Sequence, residues 1–404
     1  DEPISYPVYG TKLIEPEAVR DMDMIVKMPY VTKAALMPDA HRVKENHVPV
    51  GGVVITDDCV LPGVVGNDIA CSVALSLTDT PTFGEFWDVN HDLFDEILRE
   101  HTYFGIKWNT KDVAKSNGYL DVMEEAHNIM DNLIHPESRL LLKGLFETVR
   151  NHYGTSGDGN HFVEIGHSEG TVAKFFGRPR YATHPGRRHL AVLSHFGSRG
   201  LGAAIADFYL DKANQLNPVP KGMEDNAPLY LGTNGWAEDY WLLMNWCGLF
   251  AENSHRYVHD RIGFQMGLRG VEIKNDLFIY SKHNFAWFTE HGFIHRKGAT
   301  PADAGELGVI PATMGDETRI VAGLGNPDFL WSASHGAGRK MSRSVALKQG
   351  WKNVNDYARE DCGVNLIGAG SDEDPRSYKN IDDVMMFQMD SVRTIGGFKA
   401  VHCR

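Results

Sequence analysis

The chain has 404 residues, 42% hydrophobic and 23% charged, a soluble globular composition that suits one large domain or two to three smaller ones. No run approaches the roughly 18 consecutive apolar residues of a membrane span. A net charge of −13 works against a protein that coats itself with nucleic acid, so a nucleic-acid substrate would need a local basic pocket, while cations would be welcome. The segment Asp1 to Ile14 lacks the charged-then-apolar order of a signal peptide and lacks an initiator Met, which leaves a natural start upstream as the expectation. Five cysteines (Cys59, Cys71, Cys247, Cys362, Cys403), odd in number, widely spaced and never CxxC, argue against a disulfide scaffold or zinc ribbon and fit a reducing cytoplasm.

In chain order, the β-branched, glycine-bounded run Val48 to Ile55 reads as a strand. Trp87 to His101 reads as a helix with Phe94, Ile97 and Leu98 on one stripe. Leu190 to Ser194 is a second strand, followed by the clearest helix, Leu201 to Leu216, with Leu201, Ala204, Ile205 and Phe208 at helical spacing. Ala227 to Met266, rich in Trp, Tyr and Leu, reads as a buried helical insertion, and Leu277 to Tyr280 as a third strand. There is no repeat, low-complexity linker or regular βαβ period, so a single mixed α/β (α+β) domain over 1–404 is expected.

Six short glycine-flanked blocks carry the chemistry. They are Met37-Pro38-Asp39-Ala40-His41; Gly63 to Cys71, ending in Asp68 and Cys71; Gly157-Asp158-Gly159-Asn160-His161-Phe162-Val163-Glu164; Ser194-His195-Phe196-Gly197-Ser198-Arg199-Gly200-Leu201-Gly202; Lys282-His283-Asn284 with Arg296-Lys297-Gly298-Ala299; and Ser334-His335-Gly336-Ala337-Gly338-Arg339. Singly each is ordinary: Asp68 as a helix cap, Cys71 as a small buried hydrophobe, each His as a hydrogen-bonded structural group. Together, histidines recur at strand-to-glycine junctions, where side chains converge on a rim. Asp, Cys and His as a set suit a transition metal such as Mn, Zn, Fe or Co and not an all-oxygen Mg or Ca cage. A thiolate shared by two ions would set them close enough to clamp a phosphoryl displacement. Free N–H groups at the helix start near Gly200 would favour an anion, and Arg199 could fork onto phosphate oxygens. His335 is open as a further ligand, a general base or a nucleophile, with Asp39 or a carbonyl holding its other nitrogen. No Walker loop, Lys-x-Asp-Gly, HExxH or GxSxG occurs, which leaves His335 as the best carrier for any activated nucleotide.

From about Val8 onward, these six blocks in order resemble the RtcB-type RNA ligases. That resemblance implies stacked β-sheets flanked by helices. It also implies joining of RNA 2′,3′-cyclic phosphate or 3′-phosphate ends to 5′-hydroxyl ends with GTP and manganese, in RNA repair or tRNA splicing. Carried over by residue, it implies one Mn2+ on Asp68, Cys71 and His161 and another on Cys71, His195 and His283, with His335 guanylylated. It implies Asn160, Glu164, Thr318 and Tyr378 around the guanylate, and backbone contacts from Pro311, Thr313, Met314, Gly315, Ala337 and Gly338. Asp39 would orient His335, and Arg199, Lys297 and Arg339 would serve phosphates. The chain departs from the family at Arg42 to His47, where a Gly-Lys-Gly-type loop is usual, and at Ala70 and Ser72, where the family has glycines flanking the shared cysteine. Ala312 replaces a glycine, and the chain reaches Arg404 near where the family places a guanine-contacting lysine. These mark a divergent paralogue whose substrate choice and nucleotide contacts differ more than its metal binding. Two other readings stay open: a binuclear metal phosphodiesterase or phosphatase acting on RNA ends, and a non-catalytic RNA-end-binding or metal-storing relative. Nothing in the sequence names a protein partner.

Overall fold

The computed structural model describes residues 4–82, 86–105, 113–157, 159–170, 188–271, 277–351, 353–368 and 373–404. Antiparallel pairing dominates. β1 (Val31–His41), β2 (Val50–Thr56), β10 (Gly292–Lys297) and β9 (Asn284–Thr289) form one sheet in the order β1–β2–β10–β9. A larger sheet follows the order β12 (Leu307–Ile310), β13 (Thr318–Gly323), β16 (Val392–Cys403), β5 (Phe162–Gly170), β6 (His189–Phe196), β4 (Ser72–Pro81) and β8 (Leu277–Lys282). β15 (Asn365–Leu366) runs parallel to the end of β16, and the edge strands β12 and β8 approach each other, so this sheet curls nearly into a barrel. Two short ladders complete the set among the described residues, β3 (Cys59–Val60) on β7 (Leu229–Tyr230) and β11 (Ala299–Pro301) on β14 (Ser332–Ser334). With helices packed around these sheets, the fold is mixed α+β, as expected.

The side-chain period of two sorts the large sheet into two faces. Val73, Leu75, Leu77, Ala191 and Leu193 join one core, while Leu190, Val192 and Phe196 face a second core shared with helices. The expected strands are β2, β6 and β8, with ends within two residues of the sequence reading. The helix Phe86–His101 buries the expected Phe94, Ile97 and Leu98. In the helix Gly200–Leu216 the core stripe is Leu201, Ile205, Tyr209 and Ala213, so Tyr209 takes the place expected of Phe208. The helical reading of Ala227 to Met266 holds only from Trp236. Pro228 and Gly232 interrupt the earlier part, Leu229–Tyr230 pairs with β3, and Gly235 at φ 85 turns the chain into the helix Trp236–Leu268.

Register delivers the site. Ser72 pairs with both Phe196 and Lys282, and Phe162 with His195, which sets Cys71, His161, His195 and His283 side by side at one end of the sheet. The His283 N–H donates to the Cys71 carbonyl at 2.9 Å, tying β4 to the turn between β8 and β9. Asp39 on β1 and His335, just past β14, meet this end from the smaller sheets.

Candidate active site

A cavity of about 1450 Å3 opens over the strand ends. At its floor, Cys71 Sγ lies 3.4 Å from His195 Nε2 and 3.7 Å from His161 Nε2. His195 Nε2 lies 3.3 Å from His283 Nε2, and His161 Nε2 3.1 Å from Asp68 Oδ2. Two donor groups result, Asp68–Cys71–His161 and Cys71–His195–His283, each with ligand atoms within 4.8 Å of one another and sharing the thiol. Burial drives His195 down to about 3 and His283 well below its usual range, so both rings are neutral donors. Burial, then the Asp68 charge, pushes the Cys71 thiol up. Burial works to raise Asp68 as well, but His161 and the Arg199 N–H outweigh it and hold the carboxyl low. Two imidazole nitrogens that face each other, and a buried Asp68 Oδ2 without a well-directed hydrogen bond, satisfy one another poorly. A cation between them would satisfy all of them, and the mixed O, S and N set fits a borderline metal.

His335 stands beside this floor, its ring 4.9 Å from that of His283. Its Nδ1–H and its backbone N–H both donate to Asp39 Oδ2, at 2.7 and 3.1 Å, and Asp39 is fully buried. Lys379 donates to the carbonyls on either side of Asp39, Pro38 at 3.2 Å and Ala40 at 2.7 Å, and burial brings its ammonium down to about 8. The His41 ring donates from Nδ1 to the Asp39 carbonyl at 3.1 Å and is driven by burial to about 4. The backbone that carries the orienting carboxylate is thus held by Lys379 and His41, and among the described residues no hydrogen bond engages His335 Nε2.

Of the residues singled out by sequence, Asn160, Glu164, Pro311, Thr313, Met314, Ala337, Gly338, Arg339 and Tyr378 line the same cavity. Arg339 donates to the Tyr378 hydroxyl at 3.1 Å and faces Glu373 at 3.4 Å, so three polar groups gather on one wall. Burial raises the Glu164 carboxyl to about 7. Thr318, Gly315 and Lys297 do not reach the cavity. Thr318 Oγ1 accepts the Ala312 N–H at 3.3 Å and braces the 311–315 loop, Gly315 packs on Cys362, and Lys297 Nζ donates to the Gly63 carbonyl at 3.3 Å.

Arg199 lines the cavity, yet its guanidinium is turned inward. It donates to the carbonyls of Gly197 (2.6 Å) and His152 and lies over Phe196 and Phe250, so the fork expected on phosphate oxygens holds backbone instead. The helix start beside it does attract an anion, but that anion is Asp68, whose Oδ1 accepts the Arg199 N–H at 2.6 Å. Asp158 lies outside the described residues. Sequence reasoning missed Glu373, Arg343, which lines the cavity and pairs with Glu373 at 3.0 Å, and Lys379: the first two sit in no glycine-flanked block, and Lys379 bonds backbone carbonyls far away in sequence.

The loop Arg42 to His47 is pinned to the frame. Arg42 pairs with Asp21 at 2.8 Å, the Asn46 N–H donates to Asp21 Oδ1 at 2.8 Å, and Lys44 pairs with Asp225 at 2.6 Å. Ala70, one of the two departures beside Cys71, holds φ 59. A left-handed alanine costs about 1 kcal/mol, and its buried methyl returns about 0.8 kcal/mol, so the change is nearly neutral.

The sequence model of the family described as tRNA-splicing ligase RtcB matches residues 21–403. The chain is 29% identical to the RNA-splicing ligase RtcB of Escherichia coli K12, over 96% of this chain and 94% of that one. It is 27% identical to RNA-splicing ligase RtcB2 of a second E. coli strain, over 92% and 87%. It is also 27% identical to the tRNA-splicing ligase RtcB of Archaeoglobus fulgidus, over 93% and 87%. With the family match running over nearly the whole length and the Asp–Cys–His floor and its neighbouring histidine in one cavity, the chain belongs to the RtcB family of RNA-splicing ligases.

Proposed function

We propose that this RNA ligase joins a 3′-phosphate or 2′,3′-cyclic phosphate RNA end to a 5′-hydroxyl end, using GTP and two Mn2+ ions, in RNA repair or tRNA splicing. The observation that carries the reading is His335 paired with the buried Asp39, 2.7 Å apart, beside a donor cluster that shares Cys71. Asp39 accepts the Nδ1 proton, so His335 Nε2 keeps its lone pair for a phosphorus atom. Nε2 attacks the α-phosphorus of GTP: the N–P bond forms, the bond to the bridging oxygen breaks and pyrophosphate leaves. Asp39 offsets the positive charge that then rests on the ring. An oxygen of the RNA 3′-phosphate takes the guanylyl group, the N–P bond breaks and the ring returns to neutral. The 5′-hydroxyl then attacks the 3′-phosphate phosphorus, loses its proton and displaces GMP. A cyclic phosphate is opened to a 3′-phosphate by water before this sequence begins.

Asp68, Cys71 and His161 would hold one Mn2+ and Cys71, His195 and His283 the other. Bound there, the ions would supply positive charge to phosphoryl oxygens. Glu164, Asn160, Tyr378 and the loop at Pro311, Thr313 and Met314 would surround the guanylate, and Arg339 would meet phosphate. Arg199 supports the floor through backbone. Five free cysteines suit a reducing cytoplasm, and no helix among the described residues is long and apolar enough to cross a membrane.

The test is incubation with Mn2+ and α-labelled GTP. Label is expected on wild-type protein and absent from His335→Ala. Equal labelling of both, or none of the wild type, overturns the reading. Phosphate release from RNA ends without any label would favour the binuclear phosphodiesterase instead.

A further inference from the structure

Behind the floor, on the other face of the large sheet, lies a buried chain of polar groups. The helix Trp236–Leu268 presents His255 and His259, one turn apart on a single face, against β6, β4 and β8. His255 Nε2 lies 3.1 Å from the Phe196 carbonyl and 3.2 Å from Ser72 Oγ, and its Nδ1 lies 2.6 Å from Ser194 Oγ. Ser194 Oγ lies 2.6 Å from His259 Nε2, and His259 Nδ1 lies 2.6 Å from Ser76 Oγ. Ser72 Oγ also donates to the Ala70 carbonyl at 2.9 Å and lies 3.1 Å from the Tyr280 hydroxyl. The His255 ring stacks on Phe196 at 3.6 Å. Ser72, Ser76, Ser194, His255 and His259 are all buried.

The chain has one polarity. The Phe196 carbonyl only accepts, so His255 carries its proton on Nε2 and accepts at Nδ1. Ser194 therefore donates to His255 and accepts from His259 Nε2–H, which leaves His259 Nδ1 to accept from Ser76. Burial lowers both imidazoles far below their usual range, in keeping with neutral rings. Each member of the chain is satisfied, and a fully satisfied buried network fixes a unique arrangement.

We infer that Ser72, Ser194, His255, His259 and Tyr280 are positioning residues for the Cys71–His195–His283 group. The network is anchored on β4, β6 and β8, the strands that carry or lead directly into these three ligands. Ser72 adjoins Cys71, Ser194 adjoins His195, Tyr280 lies on the strand that ends just before His283, and the Phe196 carbonyl follows His195. Among the described residues, none of its hydrogen bonds reaches β5, which follows His161, or the Asp68 carboxylate. It therefore supports the Cys71–His195–His283 group directly and the Asp68–Cys71–His161 group only through the shared Cys71. Ser72 and Ser76 bring β4 into the network, and Ser72 is the hydroxyl that links Tyr280 on β8 to it. The inference rests on the reading that the cluster holds metal.

The test is titration of metal-free protein with Co2+, following the thiolate-to-cobalt absorption, the visible ligand-field bands and the two dissociation constants, with thermal unfolding alongside. His255→Phe keeps the stacking on Phe196 and removes the hydrogen bonds. It is expected to weaken one of the two ions by about 10- to 100-fold, as loss of a supporting partner does, and the other, which meets the network only through Cys71, by clearly less. His255→Gln, which can donate to the Phe196 carbonyl and accept from Ser194, is expected to restore most of that affinity. Ser72→Gly should weaken the same ion, and it decides the matter if His255→Phe does not fold. Wild-type affinities and spectra in both variants, with only the melting temperature lowered, overturn the inference alone. Absence of cobalt binding by wild-type protein overturns the metal reading and this inference with it.

Discussion

Gly197 shows how little room a single residue leaves around the floor. A Cβ there would lie 2.6 Å from Asp68 Oδ1 and 2.7 Å from its carboxyl carbon, so alanine must push the carboxylate away. Gly197→Ala is expected to weaken metal binding by about 10- to 100-fold while the fold persists. Calorimetric titration with Mn2+ checks it, and an unchanged affinity would show that Asp68 is no ligand. Glu164 makes a pH-dependent case. Burial raises its carboxyl from 4.5 to about 7, so between these values the folded state binds more protons than the unfolded one. Stability is therefore full below the lower value and falls as pH rises through the upper, by about 3 kcal/mol for a buried group. Glu164→Gln should remove that fall and be the more stable form in mildly alkaline buffer. Urea midpoints measured from the ordinary carboxylate value of 4.5 to above the raised value of about 7 check it, and parallel wild-type and variant profiles would contradict it.

At the scale of elements, the junction of β10 and β11 passes directly under His335. Gly298 holds φ 58 there, and a Cβ would meet Val50 Cγ1 at 2.3 Å and His335 Cε1 at 3.1 Å. Gly298→Ala must move the ring or the strand. A displacement near 1 Å can cost about 100-fold in rate, so guanylyl uptake should drop by about that factor with only a modest loss of stability. Single-turnover labelling decides it, and wild-type uptake would mean His335 tolerates displacement. Arg296 braces the same region from behind: fully buried, it donates to Ser332 Oγ at 2.8 Å and the Trp331 carbonyl at 2.9 Å, fixing the strand that delivers His335. The helix start at Gly200 teaches a related lesson. Its N–H groups attract an anion as expected, but the nearest anion is the protein's own Asp68.

For the whole molecule, the net charge of −13 limits how much RNA backbone can be held. Among the described residues, the cationic groups in the cavity are few, and one of them, Arg199, is engaged by carbonyls. Binding of an RNA 3′-phosphate end should therefore depend weakly on salt, with a log–log slope no steeper than about −3. Fluorescence anisotropy across a salt series measures this. A much steeper slope would reveal an extended phosphate track elsewhere on the surface.

The sequence by itself determined the identities in the floor and the order of the blocks. Asp68, Cys71, His161, His195, His283 and His335 were legible because chemistry-bearing residues beside glycines stand out from helical and strand periodicity. Strands β2, β6 and β8 and two helices were legible for the same local reason. Tertiary structure decided the rest. Which face a residue takes depends on neighbours far away in sequence, so Tyr209 replaced Phe208 in the core, and Thr318 and Lys297 became braces outside the cavity. The direction of Arg199 was set by two carbonyls and two aromatic rings that no local pattern announces. The serine–histidine chain behind the Cys71 floor has the plainest origin of this kind: alternate residues of a strand point to opposite faces, and only packing of the long helix on the sheet brings those serines and histidines together.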